Sequence, residues 1–98
     1  MTTYLGFQYS VSRQAIVMNT LGMHARPAAT IAGMVQDAGG DIWLSDGKRI
    51  ADAASIIDIL SLCAVKGTKV SIFTEKEKDS ALADKIKHFF DIGFGENE

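Results

Sequence analysis

The stretch Leu21-Gly22-Met23-His24-Ala25-Arg26-Pro27-Ala28-Ala29 decides the fold. Residues before it read as a strand, and residues after it repeat with helical spacing. Gly22 lets the chain turn where a Cβ would be penalised. Pro27 suits the first helical turn, where its missing N–H would have no partner. A helix is therefore expected to begin within a residue or two of His24, although the residue before a proline resists the α region.

That position has chemical content. A helix N-terminus offers unpaired N–H groups and the positive end of the macrodipole, a ready site for phosphate. The same field, with Arg26 beside it, disfavours a charged imidazolium and favours a neutral nucleophile. A phosphoryl group arriving on a ring nitrogen would meet backbone donors at Ala25 and Arg26 and the Arg26 guanidinium. His24 is thus the candidate phosphoryl acceptor. The alternative, that His24 only fills a turn, stays open on the residues alone.

The block Gly-Met-His-Ala-Arg-Pro-Ala-Ala resembles the active-site signature of the HPr family, the histidine-containing phosphocarriers of the bacterial sugar phosphotransferase system. A second block, Ser55-Ile56-Ile57-Asp58-Ile59-Leu60-Ser61-Leu62, resembles that family's regulatory-serine helix and lies 31 residues after His24. Lys66-Gly67-Thr68, followed by an alternating strand, also fits, and the resemblance covers roughly residues 11–95. It implies an α+β two-layer, open-faced sandwich in which three helices cover one face of a four-stranded antiparallel sheet. It implies phosphorylation of His24, on Nδ1, by enzyme I and transfer to sugar-specific enzyme II A domains. It also implies regulatory phosphorylation of Ser55 by an HPr kinase/phosphorylase. A chain of this kind is a carrier that needs partner enzymes, not an independent enzyme. Two alternatives are a nitrogen-type regulatory paralogue and a binding module that transfers nothing.

This chain departs from the pattern in places. Ala54 stands where the family commonly has Lys, and Asp58 would repel a phosphate on Ser55. Residues 47–55 are one longer than usual and the preceding hairpin one shorter. The first helix carries no Lys or Arg after Arg26, so electrostatic steering of an acidic partner is reduced.

Outward from the motif, the elements follow in the order β-α-β-β-α-β-α, which argues for helices on one face of an antiparallel sheet. Residues 12–19 are the expected first strand. Ala28, Ile31, Ala32 and Val35 form the buried stripe of the first helix, with Gly39-Gly40 as its left-handed stop. Residues 41–45 and 48–51 are strands joined at Asp46-Gly47, the strongest two-residue hairpin signal in the chain. Ser55 reads as the N-cap of the second helix, paired box-like with Asp58. That helix is apolar nearly all round, so part of it is buried or lent to a partner. Ile59, Leu62 and Cys63 are assigned to the core; Ile56, Ile57 and Leu60, with Met23, to a docking patch beside His24. Val70, Ile72 and Thr74 share the buried face of the last strand. Asp79 or Ser80 caps the last helix, whose apolar face is Leu82, Ile86, Phe89 and Phe90, and Gly93 and Gly95 end it. Met18 and Met34 are expected core fillers. A fold-back of Glu96 or Glu98 onto Arg26 is one further possibility.

Residues 1–10 precede the domain at 11–98 as an extension, either an added strand or a frayed tail. Formal net charge is −2, so no nucleic-acid partner is expected. An apolar fraction of 47% and a charged fraction of 22% suit an ordinary globular domain. No apolar run approaches the ~20 residues of a membrane span, and no signal peptide is visible. The single cysteine suits a reducing compartment, so a cytoplasmic location is expected; a monomer is also expected. His24, His88 and Cys63 lack zinc-ligand spacing, and neither metal nor cofactor is expected.

Overall fold

Strand β6 (Lys69–Thr74) can sit inside a sheet because it is apolar on both faces. Val70, Ile72 and Thr74 are buried on one side and Phe73 on the other. It pairs antiparallel with β3 (Val11–Ile16) and with β4 (Ile42–Ser45), and β4 pairs with β5 (Ile50–Asp52), giving the order β3-β6-β4-β5. Helices α1 (Ala25–Met34), α2 (Ile56–Ser61) and α3 (Ser80–Asp91) complete the α+β open-faced sandwich. The structure is a computed structural model that describes residues 2–96.

The core lies between helices and sheet. Ala28, Ile31 and Val35 of the first helical segment meet Leu44, Ile72, Ile86 and Phe90 there. The stripe read from the sequence is therefore the buried one. Met34, Leu82 and Phe89 are partly buried against the same core.

Residues 2–9 are neither a single added strand nor a tail. They form a hairpin, β1 (Thr2–Tyr4) and β2 (Phe7–Tyr9), turning at Leu5 and Gly6. Both turn residues have positive φ, +46° and +89°, as a type I′ turn requires. The hairpin lies on the sheet face away from the helices. Ring centroids of Tyr4 and Phe73 are 4.6 Å apart, of Tyr9 and Phe73 4.6 Å, and of Phe7 and Trp43 4.3 Å. Trp43 and Phe73 are themselves cross-strand neighbours, so one aromatic cluster joins hairpin to sheet.

Other local expectations are corrected. The β4–β5 connection spans residues 46–49, not two residues. The carboxylate of Asp46 accepts hydrogen bonds from the amides of Lys48 and Arg49, a stronger organiser than Asp-Gly alone. Those amides hold the Asp46 carboxyl below its ordinary range. α1 stops at Met34, with Val35 as C-cap, before Gly39-Gly40 is reached, and neither of these glycines has positive φ. Their amides donate instead to the two carboxylate oxygens of Asp79, both at 3.0 Å. Asp79 thus stands at the N-cap position of α3 but bonds that loop rather than its own helix. Met18 and Cys63 are exposed, not core. Cys63 follows α2 with φ +51°, which turns its side chain out of the helical register that would have buried it.

Candidate functional site

His24 is the N-cap residue of α1, extended in backbone and making no side-chain cap bond. The ring is therefore free of the helix it heads. Pro27 has no N–H and the Ala28 amide bonds the His24 carbonyl, so Ala25 and Arg26 carry the orphan amides of this terminus. Ala25 and Arg26 are exposed, and the Arg26 guanidinium has no hydrogen-bond partner among the described residues. The approach to His24 depends on Gly22, whose φ is +71°. A Cβ there would lie 2.7 Å from the Ala64 carbonyl oxygen. That carbonyl also accepts the Met23 amide at 2.9 Å, which ties the loop to the end of α2.

The imidazole is 28% exposed, and its Nε2 lies 2.5 Å from the Glu96 carboxylate. The other Glu96 oxygen accepts from Nδ2 of buried Asn19 at 2.8 Å. The Glu96 carboxyl is held below its ordinary range first by the Asn19 hydrogen bond, which outweighs the opposing desolvation, and then by His24 and Arg26. An ionised carboxylate only accepts, so Nε2 is the donating nitrogen of this pair. No hydrogen bond occupies Nδ1 among the described residues. The C-terminal segment does fold back, but its carboxylate bonds the histidine rather than the arginine. Glu98 lies outside the described residues.

An imidazole bonded at Nε2 and unbonded at Nδ1, beside unpaired amides and a guanidinium, offers one ring nitrogen to a phosphoryl group. A family model described as the PTS HPr component phosphorylation site matches residues 11–91. The chain belongs to the HPr family of phosphocarriers. A phosphocarrier protein HPr from Pseudomonas putida is 34% identical over 87 residues, covering 84% of this chain and 97% of that relative. A phosphocarrier protein NPr from Escherichia coli strain K12 is 33% identical over 90 residues, covering 90% and 99%. The crystal structure of HPr-C-His from Thermoanaerobacter tengcongensis superposes with a TM-score of 0.82 at 25% identity, over 91% of this chain and all of that one.

Around the HPr-type histidine, the assigned docking residues divide. Ile57 is 79% exposed, Ile56 is exposed and Leu60 half-buried. Met23 is a correction: it is buried in the core cluster and presents no surface to a partner. Leu21 and Val65, 68% and 65% exposed, lie on the two loops that meet at the Gly22–Ala64 contact. They add to the apolar surface, and sequence reading missed them because a lone aliphatic in a loop has no periodicity to mark it. Asn19 was missed too. Ser55 caps α2, its hydroxyl accepting from the Asp58 amide at 3.2 Å. The expected reciprocal bond is absent, since the Asp58 carboxylate accepts from the Asp52 amide instead. Among the described residues, no helix is long and apolar enough to cross a membrane.

Proposed function

We propose that this chain carries a phosphoryl group on Nδ1 of His24, received from a phosphoenolpyruvate-dependent enzyme I and passed to an enzyme II A domain in the cytoplasm. The supporting observation is the accessible imidazole heading α1, bonded at Nε2 and unbonded at Nδ1. The Nδ1 lone pair attacks phosphorus, and the amides of Ala25 and Arg26 with the Arg26 guanidinium take the phosphoryl oxygens. Residues 1–10 are read as an extension of the carrier domain at 11–98; the family match beginning at residue 11 supports that division. Incubating the protein with enzyme I and phosphoenolpyruvate should add the mass of one acid-labile phosphate. No gain in mass with an enzyme I active on another carrier would refute the reading.

A second reading keeps the chemistry and changes the acceptor. The relatives include proteins named NPr as well as HPr, and α1 has no basic residue beyond Arg26. This reading is a nitrogen-type regulatory carrier, and the acceptor domain that takes label from the phosphoprotein distinguishes the two. Phosphorylation of Ser55 by a kinase is a further part of the proposal. The Asp52 and Asp58 carboxylates beside the cap would oppose it electrostatically.

Docking through Ile56, Ile57 and Leu60 gives a sharper test. Ile57→Glu changes a side chain that is mostly in solvent, so folding stability should move by no more than about 0.5 kcal/mol. If Ile57 anchors the partner, kcat/KM for loading by enzyme I should fall by about 30-fold, the effect of a 2 kcal/mol hot spot. Unchanged loading would remove α2 from the docking surface.

A further inference from the structure

Resting on the carrier reading above, we propose that Glu96 is a positioning residue that keeps a proton on Nε2 of His24 through both halves of the transfer. Nδ1 then attacks, and later leaves, as the nitrogen of a neutral imidazole. The contact joins residues 72 apart in sequence, so it is a tertiary arrangement and not an accident of neighbouring side chains.

Three features of the fold converge on it. The chain after α3 turns back through Gly93, Phe94 and Gly95, all with positive φ. Phe94 tolerates that conformation at φ +58°, sparsely populated for a side chain of its size, because its ring is buried against Phe89 and Phe90, at 5.0 and 4.9 Å. This seat delivers Glu96 to the ring. The carboxylate is then aimed by Asn19, whose Nδ2 donates both to Glu96 Oε1 and to the Gly22 carbonyl, each at 2.8 Å. Asn19 Oδ1 is left buried with no partner among the described residues. Turning the amide over would set its oxygen against two acceptors, so the orphan oxygen is the consequence of holding the carboxylate in place. The groups facing Glu96 are Asn19, the His24 ring through Nε2, and Arg26, the last two from the head of α1.

The transfer balances without moving a proton. In loading, the Nδ1 lone pair forms the N–P bond, and the donor's bond to phosphorus breaks with its pair. The ring becomes a phosphoimidazolium with Nε2–H still bonded to the Glu96 carboxylate. In discharge, the acceptor's nucleophile bonds phosphorus, the P–Nδ1 pair returns to the ring, and neutral imidazole remains with Nε2–H in place. Without the carboxylate, the phosphorylated ring gives up its Nε2 proton more readily. Breaking the P–N bond must then expel an imidazolide anion, a far poorer leaving group.

The test uses the full chain and its Glu96→Gln and Glu96→Ala variants, loaded with enzyme I and phosphoenolpyruvate. Spontaneous discharge is followed against pH. For both variants, the pH at which discharge slows to half should move down by about one unit, and discharge at pH 8 should slow roughly 5- to 10-fold. Nitrogen-15 spectra of the unphosphorylated proteins at the same pH should show a single Nε2–H tautomer for wild type and tautomer averaging for Glu96→Ala. Normal loading with superimposable pH profiles overturns the role of Glu96 while leaving the carrier reading intact. A wild-type chain that takes up no phosphate removes the carrier reading, and this proposal with it. A wild-type ring that already averages between tautomers overturns the positioning role whatever the loading.

Discussion

Replacing His24 with alanine is expected to abolish uptake of acid-labile phosphate from enzyme I, to below about one hundredth of the wild-type level, because it removes the ring nitrogen proposed to form the covalent intermediate. Arg26 and the amides of Ala25 and Arg26 survive the change, so the variant still attracts phosphate electrostatically. What it lacks is a nitrogen lone pair to bond phosphorus. Cys63, the chain's one thiol, lies beyond α2 and does not replace it. The fold should persist. His24 makes no side-chain cap bond to α1, and the Ala28 amide bonds its backbone carbonyl, which alanine retains. Glu96 keeps its bond from Asn19. A far-UV spectrum matching wild type, together with loss of the mass gain, is the expected pair of results. Acid-labile label on the variant would mean that phosphate goes elsewhere and that His24 is not the acceptor.

The candidate histidine and its helix were legible because their signals are local. Gly22 and Pro27 punctuate the backbone, and Ala28, Ile31, Ala32 and Val35 state which face is buried, all within one turn-and-helix unit. The order of the sheet elements was legible for a similar reason, since alternation such as Val70, Ile72 and Thr74 needs no knowledge of the partner strand. The second contact of the ring was not. Asn19 and Glu96 are 77 residues apart, and their meeting depends on Phe94 adopting a backbone conformation that its residue type disfavours. Cys63 was misplaced on the same ground: a helical wheel puts it in the core, and one left-handed residue takes it out. Gly39-Gly40 was misread as a helix stop because paired glycines usually mark one. Here their amides are held in the grip of Asp79, 40 and 39 residues away.

Residues 1–10 show the same limit and give the other large prediction. Leu5 sits at a turn position that normally takes Asn, Asp or Gly, so the strand–turn–strand pattern around Leu5-Gly6 carried no turn signal. Its aromatic residues nevertheless close over the sheet. Phe73 is 3% exposed beneath Tyr4, Phe7 and Tyr9, and the Phe7 ring lies tilted against Trp43, centroids 4.3 Å apart. Each such ring pair is worth about 0.5–1.5 kcal/mol beyond the area it buries. Against this stands the entropy of ordering the hairpin, about 1–2 kcal/mol for each residue fixed, so the net gain is much smaller than the sum of contacts. A chain lacking residues 1–9 is expected to lose about 2 kcal/mol, a fall in Tm of roughly 8–16 °C for a domain of this size. The freed surface has a second consequence. Trp43 and Phe73 lie side by side across β4 and β6, and uncovering them leaves a flat aromatic face on a four-stranded sheet, the kind of patch that recruits another copy. Sedimentation should therefore show concentration-dependent association of the truncated chain, and the emission of the single tryptophan should shift to the red at low concentration and back as the copies pair. Phe7→Ala in the intact chain separates ring contact from chain length, because Phe7 touches Tyr4, Tyr9, Trp43 and Phe73 at once. It should reproduce part of the Tm loss and the red shift. If the truncated chain melts with wild type and its tryptophan emission does not move, the hairpin is not seated on the sheet in solution, and the aromatic face is free for another partner.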